Sequence, residues 1–180
     1  MVPLKGKNIV LRSLEPSDLE LLYQWENDTE NWFASNTITP YSRQAMKELI
    51  DSSRNDIYQN KQLRLMIDFV PGNDSDEKTV GAIDLFDFDP HHQRAGVGIL
   101  IAHKDYREKG IASEALSILI SYAFKTLGLH QLYCSIAKNN EASISLFKKA
   151  GFVMAGEKKD WLKDSNSWTG EYFFQLINPE

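Results

Sequence analysis

This sequence lacks most of the features that mark specialised chains. Among its 180 residues there is one cysteine, Cys134. No internal disulfide framework is therefore possible, and a reducing compartment is the simpler expectation. No Gly-Lys-Ser/Thr closes a Walker loop, and no G-x-G-x-x-G opens a dinucleotide site. The longest apolar stretch, residues 111–127, is interrupted by Ser113, Glu114, Ser117, Ser121 and Lys125, against a membrane span. The first fourteen residues contain no apolar run of signal-peptide length, so a cytoplasmic location is expected. Basic residues are not in excess. Lys and Arg number 20 against 25 Asp and Glu, for a net charge of −5. That argues against nucleic acid as a partner and is compatible with a cationic one. The four histidines show no ligand spacing, and the adjacent pair His91-His92 reads as a solvated turn, so no metal is expected.

What is present suits a globular chain. Hydrophobic residues make up 42% and charged residues 25%, an ordinary balance. The length suits one domain, residues 1–180, large enough to bury a core without disulfides. No repeat or low-complexity segment interrupts it.

Periodicity predicts strands at 8–14, 63–70, 79–88, 94–101, 132–137, 152–157 and 169–177. Helices are predicted at 16–25, 42–58, 110–127 and 141–149. Residues 26–40 read as a polar, turn-rich connection and 71–76 as a hairpin loop. The helix at 110–127 has the strongest pattern. Ile111, Ala115, Leu119 and Ala123 repeat at i+4, as do Ala112, Leu116 and Ile120, leaving only a narrow polar stripe. The order is an α+β arrangement with a mixed sheet, in which the long helix makes a right-handed crossover between parallel strands.

The most informative segment is His103-Lys104-Asp105-Tyr106-Arg107-Glu108-Lys109-Gly110-Ile111-Ala112, between a strand and that helix. Gly110 and the small Ala112 let a ligand approach main-chain N–H groups closely. The first turn of a helix carries unpaired donors and a partial positive charge, a natural seat for phosphate. Arg107 and Lys109 add charge beside it. The plainer alternative is a strand-to-helix loop with solvated basic residues. A second segment, Asn140-Glu141-Ala142-Ser143-Ile144-Ser145-Leu146-Phe147-Lys148-Lys149-Ala150-Gly151-Phe152, reads by itself as a helix capped by Asn140 and stopped by Gly151.

Together the two segments resemble the GNAT superfamily of N-acetyltransferases. The first is similar to that family's pyrophosphate turn, R/Q-x-x-G-x-G/A, and the second to its N-x-x-S-x-x-L-Y/F-x-x-x-G-F helix. The resemblance covers nearly the whole chain. It implies an acyl-CoA N-acyltransferase fold, a twisted mixed sheet of about seven strands flanked by four helices. It also implies acetyl-CoA as co-substrate, seated where the fourth and fifth strands splay apart. The main chain of Leu100, Ile101 and Ala102 would pair with the pantetheine arm. The N–H groups of Arg107, Glu108, Lys109, Gly110, Ile111 and Ala112 would hold the pyrophosphate. Asn140, Ser143 and Phe147 would lie along the pantetheine or near the thioester.

Acetyl transfer to an amine needs a neutral amine, a polarised carbonyl and a proton donor for the thiolate. Here the chain departs from the family pattern. Phe147 stands where many members carry a tyrosine acid, and Gly96 where many carry a glutamate. Asp84 is the leading candidate for the base. It shares a strand face with Ala82 and Phe86, where burial among apolar neighbours would raise its pKa. Asp87, His91, Tyr133 and Tyr172 are weaker candidates. A hydrogen-bonded structural role for Asp84, and water relays with positioning alone, remain open.

Among GNAT groups the chain looks most like bacterial spermidine/diamine N-acetyltransferases, with ribosomal-protein N-terminal acetyltransferases as neighbours. The opening Val10-Leu11-Arg12-Ser13-Leu14-Glu15-Pro16-Ser17-Asp18-Leu19 carries this, with Gly81-Ala82-Ile83-Asp84-Leu85 and His91-His92-Gln93-Arg94-Ala95. Glu26, Asp28 and Glu30, interleaved with Trp25, Trp32 and Phe33, are expected to hold a polyamine by charge and cation–π attraction. A solvated acidic loop with inward aromatics is the alternative. A small amine is thus the expected partner, with a protein N-terminus, weakly catalytic acyl-CoA binding and a homo-oligomer also open.

Overall fold

Alternating side chains and helical repeats resolve into seven strands and six α-helices among the described residues. The computed structural model describes residues 3–35, 37–71, 77–164 and 166–179. In chain order the elements are β1 (Ile9–Arg12), α1 (Leu19–Glu26), α2 (Thr29–Ser35), α3 (Arg43–Ser52), α4 (Ile57–Asn60), β2 (Leu63–Phe69) and β3 (Lys78–Asp89). Then follow β4 (Arg94–Ile101), α5 (Ile111–Lys125), β5 (Gln131–Ala137), α6 (Glu141–Lys149), β6 (Val153–Asp164) and β7 (Ser167–Ile177). All strands join one sheet in the order β1-β2-β3-β4-β5-β7-β6. Only β4 and β5 pair in parallel, and α5 supplies the crossover that such a pair requires.

Each face of the sheet buries a layer. Helix α5 packs Ile111, Ala115, Leu116 and Leu119 onto Leu65, Ile67, Ile83 and Leu85. On the opposite face, α1 and α3 bring Leu22, Trp25, Met46 and Ile50 onto Met66 and Ala82. A buried aliphatic side chain is worth roughly 1.5–3 kcal/mol, so α5, with six buried residues, anchors the larger layer. No described helix is long and apolar enough to cross a membrane.

Four elements differ from the sequence expectation. The helix expected at 42–58 breaks in two. Ser52 and Ser53 hydroxyls turn back onto the carbonyls of Leu49 and Ile50, at 2.7 and 2.6 Å. Asp56 then caps a new turn through Gln59 N–H at 3.0 Å. Serine and aspartate compete with helix bonds in this way. The polar connection at 26–40 contains α2, opened by Asp28, whose Oδ1 accepts from Glu30 N–H at 3.1 Å. Strand β6 runs to Asp164 rather than 157. Register shifts after Met154 and Lys158 break the period-two signal that would have revealed its length. Strand β1 is shorter than expected, and Leu14 turns into the α1/α3 layer. Apart from Pro71, the hairpin loop expected at 71–76 lies outside the described residues.

A buried charge network ties β1, β2, β3 and the start of α1. Arg12 donates to both oxygens of Asp18, at 2.7 and 2.9 Å, and through Nε to Asp68 at 2.6 Å. Thr79 Oγ1 accepts from Arg12 at 3.1 Å and donates to Asp68 at 2.7 Å. Asp18 also accepts from Glu15 N–H at 2.8 Å.

Candidate active site

Strands β4 and β5 pair over three positions only: Arg94 with Gln131, Ala95 with Leu132 and Gly96 with Tyr133. Beyond Gly96 they part, although β4 continues to Ile101 and β5 to Ala137. The gap is a slot of about 110 Å3 through the sheet, walled by Val97, Gly98, Ile99, Cys134 and Ser135 and bordered by Asn140, Ser143 and Phe147 of the α6 region. Main-chain groups on two parted strand edges have no ladder partner. An extended guest that bonds to main chain is their natural occupant.

Alternation decides which β4 groups face that slot. Ala102 N–H donates to Val80 O at 2.9 Å, so Ala102, and Leu100 two residues back, turn toward β3. Ile101 O faces the other way and accepts from Arg107 Nε at 3.0 Å. Of the three residues expected along the pantetheine arm, only Ile101 therefore offers main chain to the slot. Ile99 joins it, a position missed in the sequence although the period of two points to it.

The turn after β4 gathers N–H donors. Glu108 and Gly110 adopt left-handed conformations, with φ of 61° and 79°, and such residues let consecutive N–H groups converge. The first internal bond of α5 runs from Glu114 N–H to Gly110 O at 3.0 Å. The N–H groups of Ile111 and Ala112 thus lie outside the helix ladder, at its positive end. Arg107 N–H is different, because it donates to Lys104 O at 3.0 Å. The chain presents Glu108, Lys109, Gly110, Ile111 and Ala112 as donors, with the Arg107 side chain fixed on the strand end.

Helix α6 closes the slot. Asn140 caps it, its Oδ1 accepting from Ser143 N–H at 3.1 Å. Phe147 is buried and packs edge-to-face on Phe152 at 5.0 Å. Cys134 is buried too, and burial pushes its thiol pKa up to about 12, so it stays protonated and unreactive.

Asp84 lies on the α1/α3 face near the slot mouth. It does share that face with Ala82 and Phe86, but its surroundings are ionic rather than apolar. Arg64 on β2 sits directly opposite, a residue the sequence reading did not single out. Its Nε donates to Asp84 Oδ1 at 2.6 Å and its Nη2 to Oδ2 at 3.3 Å. Its Nη1 donates to Glu26 Oε1 at 2.5 Å. The three side chains are 16–19% exposed. Burial pulls the Arg64 pKa down, but Asp84 and Glu26 outweigh it and hold the guanidinium above its ordinary value. One cation thus joins two carboxylates, and the trio carries a net negative charge.

The other acidic-loop residues are spread out. Glu30 pairs with Lys104 at 2.5 Å in an exposed contact, worth little in water. Asp28 caps α2. Trp32 Nε1 donates to Glu26 O at 2.9 Å. Phe33 lies in α2, and its side chain is outside the described part of the chain. The structure therefore joins Glu26 to Asp84 but leaves Asp28 and Glu30 away from them.

Gly96 has a steric cause. A Cβ there would meet the Phe86 ring at 2.3 Å, so that ring occupies the space a longer side chain at position 96 would need. The same ring comes within 3.8 Å of the Cβ position of Gly98, and Asp84 Oδ2 within 3.9 Å. Tyr133 packs on Phe86 at 6.1 Å and its hydroxyl donates to Asp87 at 3.4 Å. Tyr172 packs on Phe174, and His91 stacks on His92 in the β3–β4 turn.

Comparison with known proteins bears on the family and the fold. A family model described as an acetyltransferase (GNAT) domain matches residues 8–153. The chain is 30% identical over 153 residues to the spermidine N(1)-acetyltransferase of Escherichia coli strain K12, spanning 83% of this chain and 75% of that one. Two solved structures of Vibrio cholerae spermidine N-acetyltransferase share its fold at 22% identity. The one in complex with CoA and spermine superposes with a TM-score of 0.82 over 96% of both chains. A dodecameric form superposes at 0.75 over 96% of this chain and 95% of the other.

Proposed function

We propose, from the premise that this chain belongs to the GNAT acetyltransferase family and is an acetyl-CoA-dependent acetyltransferase, that its acceptor is a primary amine of the polyamine class. The observation that carries this reading is the Glu26–Arg64–Asp84 trio at the mouth of the β4–β5 slot. A net negative, partly buried patch beside the reacting position attracts an alkylammonium group and repels an anionic acceptor. The similarity to spermidine acetyltransferases supports the same class.

In this reading the pantetheine arm runs along Ile99 and Ile101. Its diphosphate sits on the N–H groups from Glu108 to Ala112, with Lys109 adding charge. Asn140, Ser143 and Phe147 line the arm. The amine, with a pKa of about 10 in water, loses a proton to Asp84 and attacks the thioester carbon. The tetrahedral adduct then collapses: the C–S bond breaks, the nitrogen gives up its second proton to solvent entering the slot, and the thiolate takes a proton from the same solvent. Residues 1–180 act as one domain in a reducing cytoplasm, and copies assemble into a homo-oligomer.

Thiol release from acetyl-CoA tests the acceptor. Spermidine should give a kcat/KM at least about tenfold above that of a peptide N-terminus, a difference of about 1.4 kcal/mol in transition-state binding. A preference for the peptide would overturn the polyamine reading.

The cofactor turn has its own test. Gly110→Val faces no steric obstacle, since nothing lies within 4 Å of the new Cβ. Its φ of 79° is nevertheless costly for a β-branched residue, and relaxing it would turn N–H groups away from the diphosphate. Calorimetric titration should show CoA affinity about tenfold weaker, or about 1.4 kcal/mol. An unchanged Kd would place the diphosphate elsewhere.

A further inference from the structure

The carboxylates around the slot differ in what they already hold. Glu26 and Asp84 share Arg64, Glu30 holds Lys104, and Asp89 holds Arg94 at 3.4 Å. Asp87 is exposed and forms no ion pair with any described residue. Its partner is the neutral Tyr133 hydroxyl, at a long 3.4 Å. It stands in the bulge between Phe86 and Asp89 with φ of 49°.

Aromatic rings pave the sheet between Asp87 and the slot. Phe86 lies over Gly96 and reaches toward Gly98. Tyr133 packs on Phe86 at 6.1 Å and on Phe173 at 5.5 Å. All three rings are half-buried, so each keeps part of its surface in solvent. Ser135 lines the slot and lies opposite Phe173 in the sheet. The shelf is therefore continuous with the slot mouth at one end and with Asp87 at the other. Gly96 makes this possible, because only a residue without a side chain lets rings from β3 and β5 meet above β4.

We propose that Asp87 and the shelf of Phe86, Tyr133 and Phe173 form a subsite for the second ammonium group of a diamine or polyamine acceptor. The methylene chain lies on the rings while the reacting nitrogen sits near Asp84. The distal ammonium takes the carboxylate of Asp87 and the electron-rich ring faces beside it. Asp87 then sets specificity rather than chemistry. This inference rests on the polyamine reading above and adds where the far end of the acceptor is held.

The test compares 1,4-diaminobutane with butylamine, which differ by one ammonium group. In the wild type the diamine should have the higher kcat/KM. Asp87→Asn should lower the diamine-to-monoamine ratio about tenfold, the loss expected for one ammonium–carboxylate contact aided by ring faces. Asparagine tolerates left-handed φ, so the variant keeps the bulge, and Asp87→Glu should recover part of the ratio. A wild type that prefers the diamine, with an Asp87→Asn variant that keeps the whole preference, would overturn the subsite alone. A wild type that acetylates neither amine would overturn the polyamine reading and the subsite with it.

Discussion

Replacing Arg12 with alanine should remove about 3–5 kcal/mol from the free energy of unfolding and lower the thermal midpoint by roughly 6–20 °C. The reason lies less in the arginine, 30% exposed, than in its partners. The side chains of Asp18 and Asp68 are each 3% exposed, and Arg12 is the cation paired with both. Without it, the two buried carboxylates keep only Thr79 and one N–H among the described residues. The pH dependence has a definite sign. Burial raises the Asp18 pKa, but Arg12 and the Glu15 N–H outweigh it and hold the carboxyl below its ordinary 3.8. The stabilisation is therefore complete above about pH 4 and is lost as pH falls through the depressed native value. In Arg12→Ala burial acts nearly unopposed, so lowering the pH protonates Asp18 readily and relieves the variant. The difference between wild type and variant should be largest near neutrality and shrink in acid. Denaturant titrations at pH 7 and near pH 3.5 would measure it. A loss under about 1 kcal/mol, or one that does not change with pH, would show that the pairing is dispensable.

What was legible in the sequence was local. Helix α5 announced itself because Ile111, Ala115, Leu119 and Ala123 recur at i+4 within a helix of fifteen residues, a repeat that no register can alter. The turn after β4 and the cap at Asn140 were equally local, since each depends on a few consecutive residues. The Glu26–Arg64–Asp84 trio was not legible, because strand register assembles it. Arg64 is one of two charges in the strand Leu63–Phe69, and nothing in that strand says Asp84 will face it. The expectation of apolar neighbours for Asp84 failed for this reason: alternation identified its face correctly but not its neighbour across the sheet. Gly96 shows the same limit. In the sequence it was a missing carboxylate, whereas in the fold it is the space beneath Phe86. The break between α3 and α4 was local but obscured. The helical spacing of Ala45, Met46, Leu49 and Ile50 carried the expected helix past the serines and Asp56 that stop one helix and start another.

Asp84→Asn should cut kcat at least about 100-fold, within the range general bases contribute, while the Kd for acetyl-CoA stays within about twofold. At neutral pH only about one alkylamine in a thousand is unprotonated, so a carboxylate beside the reacting nitrogen has a large barrier to lower. Arg64 grips both Asp84 oxygens from one side and fixes the carboxylate plane, leaving the remaining lone pairs to the acceptor. Glu26 draws on the same guanidinium, so the arginine does not cancel the charge of Asp84 completely. Asparagine keeps the volume but loses the charge, and its amide N–H groups oppose those of Arg64. A structural penalty is therefore expected as well, about 1–3 kcal/mol for the mismatched donor, and the thermal midpoint must be read beside the kinetics. Asp84 lies on β3 opposite Gly98, outside the turn at residues 107–112 proposed for the diphosphate, so cofactor affinity reports the fold of the slot independently of proton transfer. Turnover and affinity falling together would make Asp84 a strut that holds β2 to β3. Turnover that survived with affinity intact would leave the amine's proton to water, with positioning carrying the rate.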